Sequence, residues 1–203
     1  MDFFAVQGFV VLQPTHQDPK ALGLDPQGPE GPLFWRSRAE DMHVLLDHLD
    51  QIEAAVPGLS GRLDRNQLAV LGHSMGGHTV AMLAGMRLMN PADNQEVNLT
   101  EPRLKAYVLL GAPGDGTDLA AFAAEHYSIL GKTSFDQMTA PALVVNGDED
   151  QSPRFSAQAD WRADAYHRSP GPKCLLTVFG GQHILGVFRG TTRPKRAMKA
   201  PSG

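Results

Sequence analysis

Short apolar runs alternate along this chain with segments whose apolar residues recur every three or four positions. Phe9-Val10-Val11-Leu12, set between Gly8 and Pro14, predicts a short buried strand. Leu68 to Leu71, Leu104 to Leu110, Ala142 to Asn146 and Lys173 to Phe179 predict further strands, each bounded by glycine, proline or polar residues. Between the first two runs, Met42, Leu45, Leu46, Leu49 and Ile52 fall on one helical face. Ser37-Arg38-Ala39-Glu40 has the form of a capping box at the start of that helix, and Pro57-Gly58 closes it. Val80, Ala81, Leu83, Ala84 and Leu88 predict a more apolar helix that runs to Asn90-Pro91. Thr117 is placed to cap a short helix from Asp118 to His126, and Trp161 and Ala165 suggest another before the last strand.

Strands rich in Val and Leu that alternate with helical segments predict an α/β fold: a mostly parallel sheet with helices on both faces. In such sheets ligands bind at the carboxyl ends of the strands. That rule singles out the loop after Leu12, the turn at Ser74, the Gly147 loop and the Gly180 loop. Between Gln17 and Phe34, repeated prolines and glycines predict a loop without regular structure, ending in the aromatic pair Phe34-Trp35.

At 203 residues and 42% hydrophobic, the chain can bury one substantial core. The formal net charge of −4 is unevenly spread, because Arg189, Arg193, Lys195, Arg196 and Lys199 all lie beyond the last acidic residue, Asp164. The body is therefore acidic, which argues against a nucleic-acid partner, and residues 187–203 read as a basic irregular tail. The single cysteine, Cys174, excludes an intrachain disulfide and sits in an apolar run, where a small buried hydrophobe is expected. The start has no positive n-region and no apolar run approaches the ~20 residues that span a bilayer, so a cytoplasmic protein without membrane contact is expected. The eight histidines show no H-E-x-x-H pattern and no cysteine pair accompanies them, so neither metal nor other cofactor is expected. His43 and His48 flank the apolar stripe of their helix and read as surface or hydrogen-bonded residues. Gly131-Lys132-Thr133 lacks the upstream glycine and strand of a phosphate-binding loop.

The chemistry concentrates in Gly72-His73-Ser74-Met75-Gly76-Gly77, between a predicted strand and a predicted helix. Strand, sharp turn, serine and helix is the arrangement of a nucleophile elbow, and Gly72 and Gly76 are expected to make the turn sterically possible. A serine hydroxyl is a weak nucleophile until a histidine base lies beside it and N–H donors face the developing oxyanion. Two other strand ends supply the missing groups: Gly147-Asp148-Glu149-Asp150 and Gly180-Gly181-Gln182-His183.

Serine, then an acid, then histidine is the chain order of the α/β-hydrolase triad. The elbow, the acidic turn and Gly180-Gly181-Gln182-His183-Ile184-Leu185-Gly186 resemble that superfamily, and within it the bacterial esterase-type members near the dienelactone-hydrolase and chlorophyllase-like groups. The resemblance implies that Ser74 attacks an acyl carbonyl, that His183 accepts and returns the proton, and that a carboxylate orients the imidazole. For the acid it implies Asp150, in a Gly-x-x-Asp turn, with Asp148 as the alternative, and for the oxyanion hole the backbone N–H of Met75. The implied partner is a small-molecule ester or acyl substrate. Phe34, Trp35, Met75 and His78 are candidates for the pocket lining.

The resemblance covers about Phe9 to Gly186 and fails at both ends. No His-Gly pair precedes Ser74 to supply the second oxyanion donor, and Val187 to Arg196 has no helical period. A partial hydrolase domain over residues 1–186, truncated at its N-terminus and aberrant at its C-terminus, is the expectation. An acyltransferase or peptidase using the same triad, or a non-catalytic remnant of the fold, are the alternatives to an esterase.

Overall fold

A computed structural model describes residues 2–16, 25 and 33–185. The loop and the basic tail expected at 17–34 and 187–203 fall almost wholly outside these residues. Helix α1 (Asp2–Val6) sets the Phe4 ring edge-on to Phe3 and Phe9. The run after it is no strand: Phe9 and Val10 are 61% and 46% exposed, and no strand among the described residues pairs with them. An apolar run forms a strand only where a neighbour takes up its backbone hydrogen bonds.

Helix α2 (Trp35–Asp47) starts upstream of the predicted capping box. Phe34, at φ 48°, occupies the N-cap without a side-chain cap, and the Ser37 hydroxyl donates back to the Phe34 carbonyl at 3.1 Å from inside the first turn. Burial overrides local capping here, since Phe34 and Trp35 are both drawn into the interior. The helix breaks at His48, and α3 (Leu49–Ala55) carries the apolar face on as far as the predicted Pro57-Gly58 stop. Both histidines are engaged. His43 contacts Glu101 Oε2 at 2.8 Å and the Leu99 carbonyl at 3.2 Å, and His48 Nδ1 lies 2.7 Å from the Val44 carbonyl. Hydrogen bonds from Arg103, helped by His43, outweigh burial and hold the Glu101 carboxyl at about 2, so an ionised buried carboxylate pins α2 to the segment before the next long strand.

Strand β1 (Leu68–His73) leads through Ser74 into helix α4 (Met75–Leu83). The helix stops short of the predicted Leu88. Gly85, at φ 114°, packs so closely on the Gln137 carbonyl that a Cβ would lie 2.4 Å from its oxygen. The chain turns there, and Arg87–Met89 becomes β2, which joins β3 (Glu96–Val97) and later β5 (Thr133–Ser134) in a small antiparallel sheet. Strand β4 (Leu104–Leu110) is followed by a single 3-10 turn in which the Asp115 carboxylate, not Thr117, is the cap, and helix α5 (Ala121–His126) starts later than expected. Strand β6 (Ala142–Gly147), a 3-10 turn over Trp161–Ala163, α6 (Asp164–His167) and β7 (Lys173–Val178) complete the described chain.

The central sheet is parallel, in the order β1-β4-β6-β7, and helices flank it: the class is α/β. Register places Val70, Tyr107 and Ala142 in one row and Gly72, Leu109, Val144 and Leu175 in another; these rows meet the core with Val80, Met82 and Leu83 of α4. The intervening row, Leu71-Val108-Leu143-Cys174, points to the other face. Cys174 is exposed there, contrary to expectation, because β7 is an edge strand and this face is less covered. No helix among the described residues is long and apolar enough to cross a membrane.

One buried group makes a pH prediction. His78 on α4 is 1% exposed, neither ring nitrogen has a partner among the described residues, and burial pushes its pKa from 6.5 down to about 4. Between those values the unfolded chain binds a proton that the folded one refuses. Its contribution is therefore whole above 6.5 and is lost as pH falls toward 4, by on the order of 3 kcal/mol. Urea unfolding at several pH values between about 7 and 5 is expected to show this decline in the parent chain and a flatter curve in His78→Leu. Parallel curves would place the pH dependence elsewhere.

Candidate active site

At the end of β1 the chain reverses through Ser74, whose backbone takes φ 55° and ψ −117°. A side-chain-bearing residue is strained there and must be held by its surroundings. The Ser74 N–H donates to the Leu110 carbonyl at 2.9 Å, and the Ser74 carbonyl accepts from the His78 N–H at 3.1 Å. Contacts rather than φ explain the glycines. A Cβ on Gly72 would stand 2.1 Å from the Gly76 carbonyl oxygen, and one on Gly77 would stand 2.7 Å from the Ala112 Cβ. Gly76 itself has open space around its Cβ position, so Gly77, not Gly76, is the second glycine that packing demands.

His183 lies beyond β7, after the Gly180-Gly181 turn. Its Nε2 is 3.0 Å from Ser74 Oγ, and its Nδ1 is 2.9 Å from Asp150 Oδ2. Asp150 reaches it from a turn at the end of β6 closed by an Asp150 N–H to Gly147 carbonyl bond of 3.1 Å. Asp148 points elsewhere: its Oδ1 accepts from the Gly180 N–H at 2.7 Å and ties the acid-bearing loop to the histidine-bearing loop. The structure thus brings Ser74, His183 and Asp150 together and leaves Asp148 as a loop tie. His73, the residue before the serine, adds a bond from Nε2 to the His183 carbonyl at 2.6 Å. Met75 is the first residue of α4, where backbone N–H groups have no intrahelical partner.

Burial opposes ionisation of Asp150, but the hydrogen bond from His183 and the charge of Arg162 outweigh it, and the carboxyl is held below its ordinary value. Arg162 was not foreseen. Its Nε lies 2.8 Å from Asp150 Oδ2, and its Nη1 donates to the Gly111 carbonyl at 2.9 Å. No local signal marks it, since only tertiary folding brings the turn after Asp160 to the end of β6.

A cavity of about 510 Å³ opens over Ser74 and His183, walled by Leu33, Met75, Tyr127, Phe155, Trp161 and Gln182 among others. The Tyr127 and Phe155 rings are nearly parallel at 5.3 Å. Of the residues expected to line a pocket, Met75 does so. Phe34, Trp35 and His78 are buried elsewhere and form no part of the wall. No cluster of His, Cys, Asp or Glu among the described residues could hold a metal ion.

No protein-family model matches the chain, and no curated protein matches it significantly. Among solved structures it is similar to a truncated form of a carbohydrate esterase from gut microbiota, at 15% identity and a TM-score of 0.50, covering 77% of this chain and 63% of that one. It is also similar to an acetyl ester-xyloside bifunctional hydrolase from Caldicellulosiruptor lactoaceticus (19% identity, 75% and 57% of the two chains, TM-score 0.46). A third is the acylaminoacyl peptidase of Pyrococcus horikoshii (14% identity, 76% and 25%, TM-score 0.47). The chain has the α/β-hydrolase fold, and it spans 63% of the length of the first of these structures and less of the other two.

Proposed function

We propose that this chain carries a serine hydrolase site that cleaves a small-molecule carboxylic ester through an acyl-enzyme intermediate. The observation that carries the reading is the continuous contact from Ser74 Oγ to His183 Nε2 at 3.0 Å and from His183 Nδ1 to Asp150 Oδ2 at 2.9 Å, at the mouth of a cavity. Ser74 Oγ attacks the ester carbonyl as His183 Nε2 takes its proton. Asp150 stays ionised, fixes the ring with Nδ1–H toward itself and stabilises the imidazolium. The Met75 N–H faces the developing oxyanion, and a donor in that role contributes about 3 kcal/mol to transition-state stabilisation. His183 then protonates the leaving alkoxide, and water attacks the acyl-enzyme by the same route in reverse. Esters are the substrates named for the carbohydrate esterase whose fold this chain shares.

A fluorophosphonate probe tests this directly, because it reacts with activated serines. Labelling at Ser74 is expected, with a rate that falls on acidification as His183 gains a proton and can no longer act as base. A folded sample that stays unlabelled, or whose labelling rate is flat from about pH 5 to 8, overturns the reading. Hydrolysis of p-nitrophenyl esters in preference to aminopeptidase substrates is the expected selectivity; the reverse preference would assign the same site to a peptidase.

A further inference from the structure

Asp150 Oδ2 is a shared acceptor, lying 2.9 Å from His183 Nδ1 and 2.8 Å from Arg162 Nε. The Asp150 and Arg162 side chains are only 2% and 9% exposed, so water does little to separate their charges. The guanidinium also reaches sideways, donating from Nη1 to the carbonyl of Gly111, the residue after β4. Gly111 sits at φ 52° against the acid and the base: a Cβ there would stand 3.3 Å from Asp150 Oδ2 and 3.4 Å from His183 Nδ1. One guanidinium therefore links the end of β4, the acid at the end of β6 and, through that acid, the imidazole. The Nε contact is an ion pair rather than an aligned hydrogen bond, so charge dominates it.

We infer that Arg162 is a positioning residue of this site: it holds the Asp150 carboxylate against the end of β4, and its charge opposes the uptake of a further proton by the Asp150–His183 pair. The inference rests on the serine-hydrolase reading above. The groups facing His183 are Ser74, Asp150 and His73, with Arg162 behind the acid and Glu149 on the same turn. Of these, Asp150 favours the imidazolium and Arg162 opposes it by sharing the same oxygen. Removing the cation leaves the carboxylate wholly to the imidazole, so the coupled pair takes up a proton at higher pH. Both nitrogens contact the one oxygen, so the guanidinium lies within the range over which a charge moves the pair's titration by about one pH unit or more.

The test is the pH profile of Ser74 labelling by a fluorophosphonate, which needs no knowledge of the natural substrate. In Arg162→Met, with similar bulk and no charge, the plateau rate is expected to fall about tenfold and the acid limb to move up by about one pH unit. Arg162→Gln, which can still donate to the Gly111 carbonyl, should show the same displacement of the limb. Arg162→Lys, which keeps the charge, should leave the limb in place while lowering the plateau. Folded Met and Gln variants whose acid limb coincides with that of the parent chain overturn the inference, whatever happens to the plateau. Failure of both neutral variants to fold also overturns it, since the pair is then a support of the fold. Absence of labelling in the parent chain would refute the hydrolase reading instead.

Discussion

Replacing Ser74 with alanine is expected to abolish fluorophosphonate labelling and to lower ester turnover by about 10⁴-fold or more, the scale on which triads fail when the nucleophile is removed. The fold should scarcely notice. The hydroxyl's hydrogen bond is to His183, while the strained backbone is held by the Leu110 carbonyl and by the first turn of α4, and alanine leaves both in place. Thermal unfolding followed by circular dichroism should therefore place the variant within a few degrees of the parent. An alanine variant that keeps a substantial share of the activity would assign the reaction to another group.

Gly72→Ala is expected to act in the opposite way, damaging structure first and activity through it. The added Cβ would lie 2.1 Å from the Gly76 carbonyl oxygen, which belongs to helical backbone and cannot rotate aside. The junction of β1 and α4 must open, at a cost of about 2–4 kcal/mol. Ser74 moves with it, and a displacement of roughly 1 Å from its base can cost on the order of 10²-fold in rate. Gly76→Ala, a few residues on, supplies the control: its Cβ position is open and helical, so stability should hold or rise by up to about 1 kcal/mol. Urea unfolding of the two variants, with labelling rates, measures both effects. Equal stability of the two would mean that the elbow is not packed as described.

The difference between those glycines shows where sequence reading succeeds and stops. A run such as Leu104 to Leu110 or Ala142 to Asn146 is short, apolar and bounded by breakers, and it pairs on both sides, so pattern and structure agree almost to the residue. The meeting of Ser74, Asp150 and His183 was legible for a related reason: each follows a strand, and the proposed chemistry restricts which residue types could serve there. Phe9 to Leu12 has the same apolar signature, but a signature cannot state whether a neighbouring strand exists. Cys174 and Leu88 were misplaced because sheet-edge position and the turn at Gly85 come from tertiary packing. Ser37 lost its capping role to the burial of Phe34 and Trp35. Arg162 was invisible because its partner lies twelve positions away in a different turn, with no period connecting them.

The bond from His73 to the carbonyl of His183 has a mechanical consequence. His183 hangs from the immediate neighbour of Ser74, on the strand that also delivers Ser74. A displacement of the turn at Ser74 is therefore expected to carry the imidazole with it, changing where the two groups sit more than how far apart they are. Their alignment is thereby expected to depend little on the loops around them.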